Sequence, residues 1–109
     1  MTELSGYRVM WMFTLFDLPV LTKKERKAAA DFRKYLLKQG FQMAQFSVYL
    51  KYCRDKTQAD RLAIQIAQAV PDDGKLDILM LTDKQYENMV TFYGHTRVKR
   101  ENQHQLAFF

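Results

Sequence analysis

The chain holds one cysteine, two histidines, two prolines and four glycines in 109 residues. A single thiol, Cys53, excludes an intramolecular disulfide and suits a reducing, cytoplasmic setting. His95 and His104 lie in a polar segment and make no zinc spacing with Cys53, so they read as surface histidines. The few glycines form neither a P-loop nor a GxGxxG turn. Ser47 has no glycine elbow and no obvious base, which argues against serine-nucleophile chemistry. No run approaches the roughly 18–20 apolar residues of a membrane span. The segment Met1-Thr-Glu-Leu-Ser-Gly6 lacks the pattern of a signal peptide. The expectation is a cytoplasmic protein with no membrane partner. No repeat, low-complexity run or linker interrupts the chain, so residues 1–109 read as one domain.

What is abundant is apolar and basic. Apolar residues make up 48%, the formal net charge is +5 and the pI is about 9.4. That balance favours acidic partners, nucleic acid first. Six tyrosines and eight phenylalanines could stack bases, but most lie among apolar neighbours and read as core.

Residues 7–17 read as one apolar strand ending on a carboxylate, Asp17, with Pro19 stopping it. A basic helix follows, opened by a Thr22/Glu25 capping box and ended by Gly40. Residues 41–53 read as a second strand, bent or split in two. Thr57 with Asp60 opens a second helix that Pro71 closes, with Asp55 before it. Residues 76–81 form a third strand, 83–88 a helical turn with Asp83 as its cap, and 90–93 a short strand closed by Gly94. The order is the α+β, ferredoxin-like βαββαβ plan. Its core spans about residues 7–94, and a basic loop and tail occupy 95–109.

Helix two carries a core stripe of Ala59, Leu62, Ala63, Ile66, Ala67 and Val70. Helix one has a core side of Ala28, Phe32, Tyr35 and Leu36, and a basic side of Lys23, Lys27, Lys34 and Lys38 flanked by Arg26 and Arg33. The first strand is apolar on both faces: Val9, Trp11, Phe13 and Leu15 on one, Met10, Met12 and Phe16 on the other. Two helices cover one face only. A second copy of the chain, packed sheet on sheet as a homodimer, is the economical cover for the other.

Asp17 fits two roles, a carboxylate holding a divalent cation beside substrate phosphates or a plain strand-to-turn cap. Arg97, Lys99 and Arg100 form a basic cluster after Gly94, suited to phosphate contact or to plain solvation. The apolar tail, with Leu106, Phe108 and Phe109, reads as an extra C-terminal edge strand that adds to a partner or a sister subunit.

The ordered set Phe16-Asp17-Leu18-Pro19, Gly40-Phe41, Gln45-Phe-Ser47-Val48-Tyr49, Leu81-Thr82-Asp83-Lys84-Gln85-Tyr86 and Phe92-Tyr93-Gly94 resembles the small CRISPR-associated adaptation protein, in the version from Cas9-type systems. This is the ferredoxin-like partner of the spacer-integrating integrase. The resemblance implies a symmetric homodimer with Mg²⁺ between two Asp17 residues, one from each subunit. It implies either a metal-dependent endonuclease acting on RNA or duplex DNA, with Asp17 catalytic, or a structural adaptor that bridges integrase dimers and prespacer-like DNA. It places nucleic-acid contacts at Arg97, Lys99 and Arg100, and at Lys23, Lys24, Arg26 and Lys27. A toxin-like messenger RNA endoribonuclease on the same fold is the other alternative.

Overall fold

A computed structural model describes residues 10–99. Arg100 and the tail residues Leu106, Phe108 and Phe109 lie outside the described residues, as do residues 7–9 of the expected first strand.

The elements follow the ferredoxin-like order: β1 (Met10–Asp17), α1 (Lys23–Lys38), β2 (Gln42–Gln45), β3 (Val48–Cys53), α2 (Lys56–Ala69) and β4 (Lys75–Thr82). A short helix α3 (Asp83–Glu87) and two short strands, β5 (Thr91–Tyr93) and β6 (Thr96–Val98), come after. The sheet is antiparallel in the order β2-β3-β1-β4. β1 is therefore an inner strand, bonded along its length to β3 and β4, which is why it carries apolar residues on both faces.

Both helices cover one face. Met12, Phe16, Tyr49 and Cys53 from the sheet pack against Phe32 and Leu36 of α1 and Ala59 and Ile66 of α2. Ala29, not Ala28, is the buried small residue on α1, and Ala67 of α2 faces solvent. Thr14 is buried on this inner strand, and its hydroxyl donates to the Tyr49 carbonyl at 3.0 Å. That bond removes the penalty of an orphaned polar group.

Residues 41–53 are split in two, as one form of the expectation had it, because the two-residue turn Phe46-Ser47 folds β2 onto β3, with a bulge between Met43 and Gln45. Three expectations need correction. Asp55, not Thr57, caps α2: its backbone is extended and its carboxylate accepts the Gln58 N–H at 2.9 Å. Thr82, not Asp83, caps α3, through a capping box with Gln85. The strand expected at 90–93 leaves the main sheet and pairs with β6, so Arg97 sits on a strand, not a loop. Gly94, with φ +59°, supplies the positive φ that a two-residue hairpin loop needs.

The second sheet face is partly covered from within the chain. Tyr86 of α3 stacks on Trp11, with ring centroids 4.0 Å apart and 13° between planes. Trp11, Phe13, Leu50 and Tyr86 form a smaller core, with Met89 packed against it. The sequence reading left this whole face to a second copy, whereas α3 closes the Trp11 half itself. Leu15 and Leu79 stay exposed on the other half.

Candidate nucleic-acid and metal site

Asp17 ends β1 on this open half. Side chains opposite one another in an antiparallel pair share a face. The register therefore sets Asp17 against Lys75 and Leu15 against Asp77, all four toward the open side. Lys75 Nζ lies 3.6 Å from Asp77, an exposed pair that adds little stability. Among the described residues no hydrogen bond or ion pair engages the Asp17 carboxylate. It is an exposed acceptor beside an apolar patch, and no strand-to-turn bond explains it.

Among the described residues no three His, Cys, Asp or Glu side chains gather to hold a metal ion. The donor set therefore fits Mg²⁺ only in part within one chain. One hard carboxylate oxygen donor is the right chemistry, and waters, substrate phosphates or a second copy's carboxylate must complete the shell.

The expected basic residues fall on two surfaces. Lys23, Lys24, Arg26 and Lys27 line one depression at the start of α1. Arg26 is partly committed there, because its guanidinium donates to the Val20 and Leu21 carbonyls at 3.2 and 3.1 Å and holds the turn that enters the helix. Lys27 pairs with Asp31 at 2.9 Å. Lys23 and Lys24 have no ion pair among the described residues. Arg97 and Lys99 line a second depression with Glu87 and Met89. No residue lines both, so the structure does not merge the two clusters. Between β2, the sheet and the β5–β6 hairpin runs a groove of about 590 Å³, bordered by Phe13, Met43, Leu50, Phe92 and Lys99.

The sequence reading missed two features. Lys75 and Asp77 become neighbours of Asp17 only through the β1–β4 register, which the sequence does not display. Arg33, read as a flank of the lysine stripe, reaches across to the β2–β3 turn. Its guanidinium lies 4.0 Å from the Phe46 ring centroid, and its Nε donates to the Phe46 carbonyl at 3.4 Å. Elsewhere, burial pushes the Cys53 thiol pKa up, which keeps it protonated and inert. Burial, with help from Asp83, also raises Tyr52.

Comparison with known proteins identifies the family. A family described as "CRISPR associated protein Cas2" matches residues 10–89, the stretch from β1 to just past α3. A relative from Paracidovorax avenae named CRISPR-associated endoribonuclease Cas2 is 56% identical over 94 residues, covering 86% of this chain and 87% of its own. A relative of the same name from Flavobacterium psychrophilum is 42% identical over 100 residues, covering 92% and 87%. A solved structure described as "Crystal structure of cas2" superposes with a TM-score of 0.55 at 20% identity, over 85% of this chain and 98% of that one, and speaks for the fold alone. With its ferredoxin-like sheet and its β1 carboxylate inside the matched stretch, the chain belongs to the CRISPR-associated Cas2 family.

Proposed function

We propose that this chain works in the cytoplasm as a symmetric homodimer in CRISPR spacer acquisition, together with the adaptation integrase and prespacer-like duplex DNA. In this reading it hydrolyses phosphodiester bonds in RNA or DNA with Mg²⁺ held between two Asp17 carboxylates. The observation that carries the reading is the placement of Asp17 on the uncovered half of the sheet, beside the exposed Leu15 and Leu79. Packing that patch against a second copy buries apolar area, and a two-fold axis near the end of β1 then sets two carboxylates opposite each other. Two like charges in a confined gap repel, and a divalent cation relieves them. The endoribonuclease names of the relatives support RNA as a substrate.

When bound, the cation supplies Lewis-acid polarisation of a phosphoryl oxygen and an acidified water. The chain's own residues do the rest. Asp17 holds the cation. Lys23 and Lys24, and Arg97 and Lys99 on the other surface, neutralise backbone phosphates on either side. A second reading, an adaptor without catalysis, is favoured by the lack, among the described residues, of any group of three His, Cys, Asp or Glu side chains that could hold a metal ion.

Replacing Asp17 by Asn keeps the shape and removes the charge. Mg²⁺-dependent cleavage of RNA or duplex DNA should fall at least ~10-fold, about 1.4 kcal/mol of transition-state stabilisation. Undiminished cleavage by a folded Asp17→Asn protein would reject the metal reading. If neither protein cleaves while spacer integration persists in both, the adaptor reading stands.

A further inference from the structure

We propose that Phe46 and Arg33 form a stacking site for an unpaired nucleobase at the β2–β3 turn. The starting observation is a residue out of place. Two-residue hairpin turns favour Gly, Asn and Asp, yet Phe46 stands in the turn between β2 and β3 and is 68% exposed. It belongs to neither hydrophobic core. Fold packing therefore does not explain it.

What holds the ring is a cation. The Arg33 guanidinium lies 4.0 Å from the Phe46 centroid, and its Nε donates to the Phe46 backbone carbonyl at 3.4 Å. The same guanidinium lies 5.8 Å from the ring of Phe16, which packs in the helix-side core. The turn is anchored in turn to β1, because the Phe16 N–H donates to the Ser47 carbonyl at 3.1 Å. An aromatic ring is thus fixed at low entropic cost, with most of its surface open to solvent. It stands one strand over from the residue that precedes Asp17.

This is the chemistry of a single-strand platform: a π-face for a base and a guanidinium for the adjoining phosphate. Bases inside a duplex hide their faces, so the site selects unpaired nucleotides. The ligand class rests on the nucleic-acid reading above; the site does not depend on whether the chain cleaves.

The test is a binding measurement in EDTA, where hydrolysis plays no part. The probes are a short single strand carrying one 2-aminopurine and the same strand annealed to its complement. Stacking on Phe46 should quench the single-strand signal. Phe46→Ala should abolish the quench and weaken single-strand binding about 5- to 150-fold, the equivalent of one lost base–aromatic stack. Phe46→Trp should keep both, and Arg33→Lys, which retains charge without the planar backing, should fall between. Duplex affinity should move little in all three. Single-strand binding and quenching unchanged in a folded Phe46→Ala protein would overturn the proposal. So would a change in subunit association with strand binding intact, which assigns the ring to a protein contact. Loss of cleavage in Asp17→Asn with the quench preserved leaves the platform standing while the catalytic reading is judged separately.

Discussion

The Trp11 indole N–H donates to the Asp83 carboxylate at 2.9 Å, tying the inner strand to the first turn of α3. Tyr86, one turn on, lies flat against the same indole. The chain's single tryptophan thus reports directly on whether α3 is seated. Asp83→Ala should shift the Trp11 emission to the red and lower the stability to urea by about 1.5–3 kcal/mol, the range for a hydrogen bond to a charged group. An unchanged unfolding midpoint would show that stacking alone seats the helix.

Disruption of the proposed dimer should depend on which face of the sheet is charged. Leu79→Asp or Leu15→Asp places a charge on an exposed position of the open half, so the fold should survive while the solution mass falls from two chains to one. Met12→Asp and Phe16→Asp should instead unfold the chain, because those side chains are buried beneath the helices. Light scattering with circular dichroism separates the outcomes. A stable monomer of the unmodified chain at micromolar concentration would remove the two-fold site.

Binding to duplex DNA should be indifferent to sequence and sensitive to salt, since the candidate contacts among the described residues are lysines and arginines suited to backbone phosphates. Each phosphate contact contributes about 0.9 to the slope of log K against log salt. Arg97→Ala with Lys99→Ala, counted over two copies, should flatten that slope by up to roughly four units. The fold should be unaffected because both side chains are exposed. The measurement belongs on the assembled complex. An unchanged slope would leave the start of α1 as the phosphate-binding surface.

Acid should weaken the cap of α2 in a defined direction. The Gln58 N–H bond, reinforced by Arg54, holds the Asp55 carboxyl below its ordinary range. A carboxylate lowered by folding stabilises the native state above its unfolded pKa and loses that contribution as pH falls through the folded value. Asp55→Asn keeps an acceptor without the charge, so the stability gap between parent and variant should be fully open above about pH 4 and should close as the pH falls through the lowered folded value. A gap that is constant with pH would assign the cap to hydrogen bonding alone.

How much was legible follows from what each residue signals locally. Helix one, its capping box and the doubly apolar first strand were readable because period and caps are local properties. The acid ending β1 was readable for the same reason. Its neighbours Lys75 and Asp77 were not, since they arrive through pairing between distant segments. Asp55 lost to Thr57 in the reading because both residue types cap helices, and only the extended backbone at residue 55 decides between them. The β5–β6 hairpin was half seen: polar Thr96 and Arg97 carry no strand pattern, although Gly94 marked the turn. Cover of Trp11 by Tyr86 was hidden because a helix of one turn has too few residues to show a face.

The sheet's connectivity also sets an order of events. β2 and β3 are joined by two residues and can close on the microsecond scale of hairpins. β1 and β4 pair across almost the whole described chain, from Met10 against Thr82 to Asp17 against Lys75, so that loop closes late. During synthesis, the strand bearing Asp17 should have one edge unpaired until β4 has emerged. An unpaired inner strand with two apolar faces is an aggregation hazard. Substitutions that slow β4 docking should therefore lower soluble yield before they lower the stability of the finished protein.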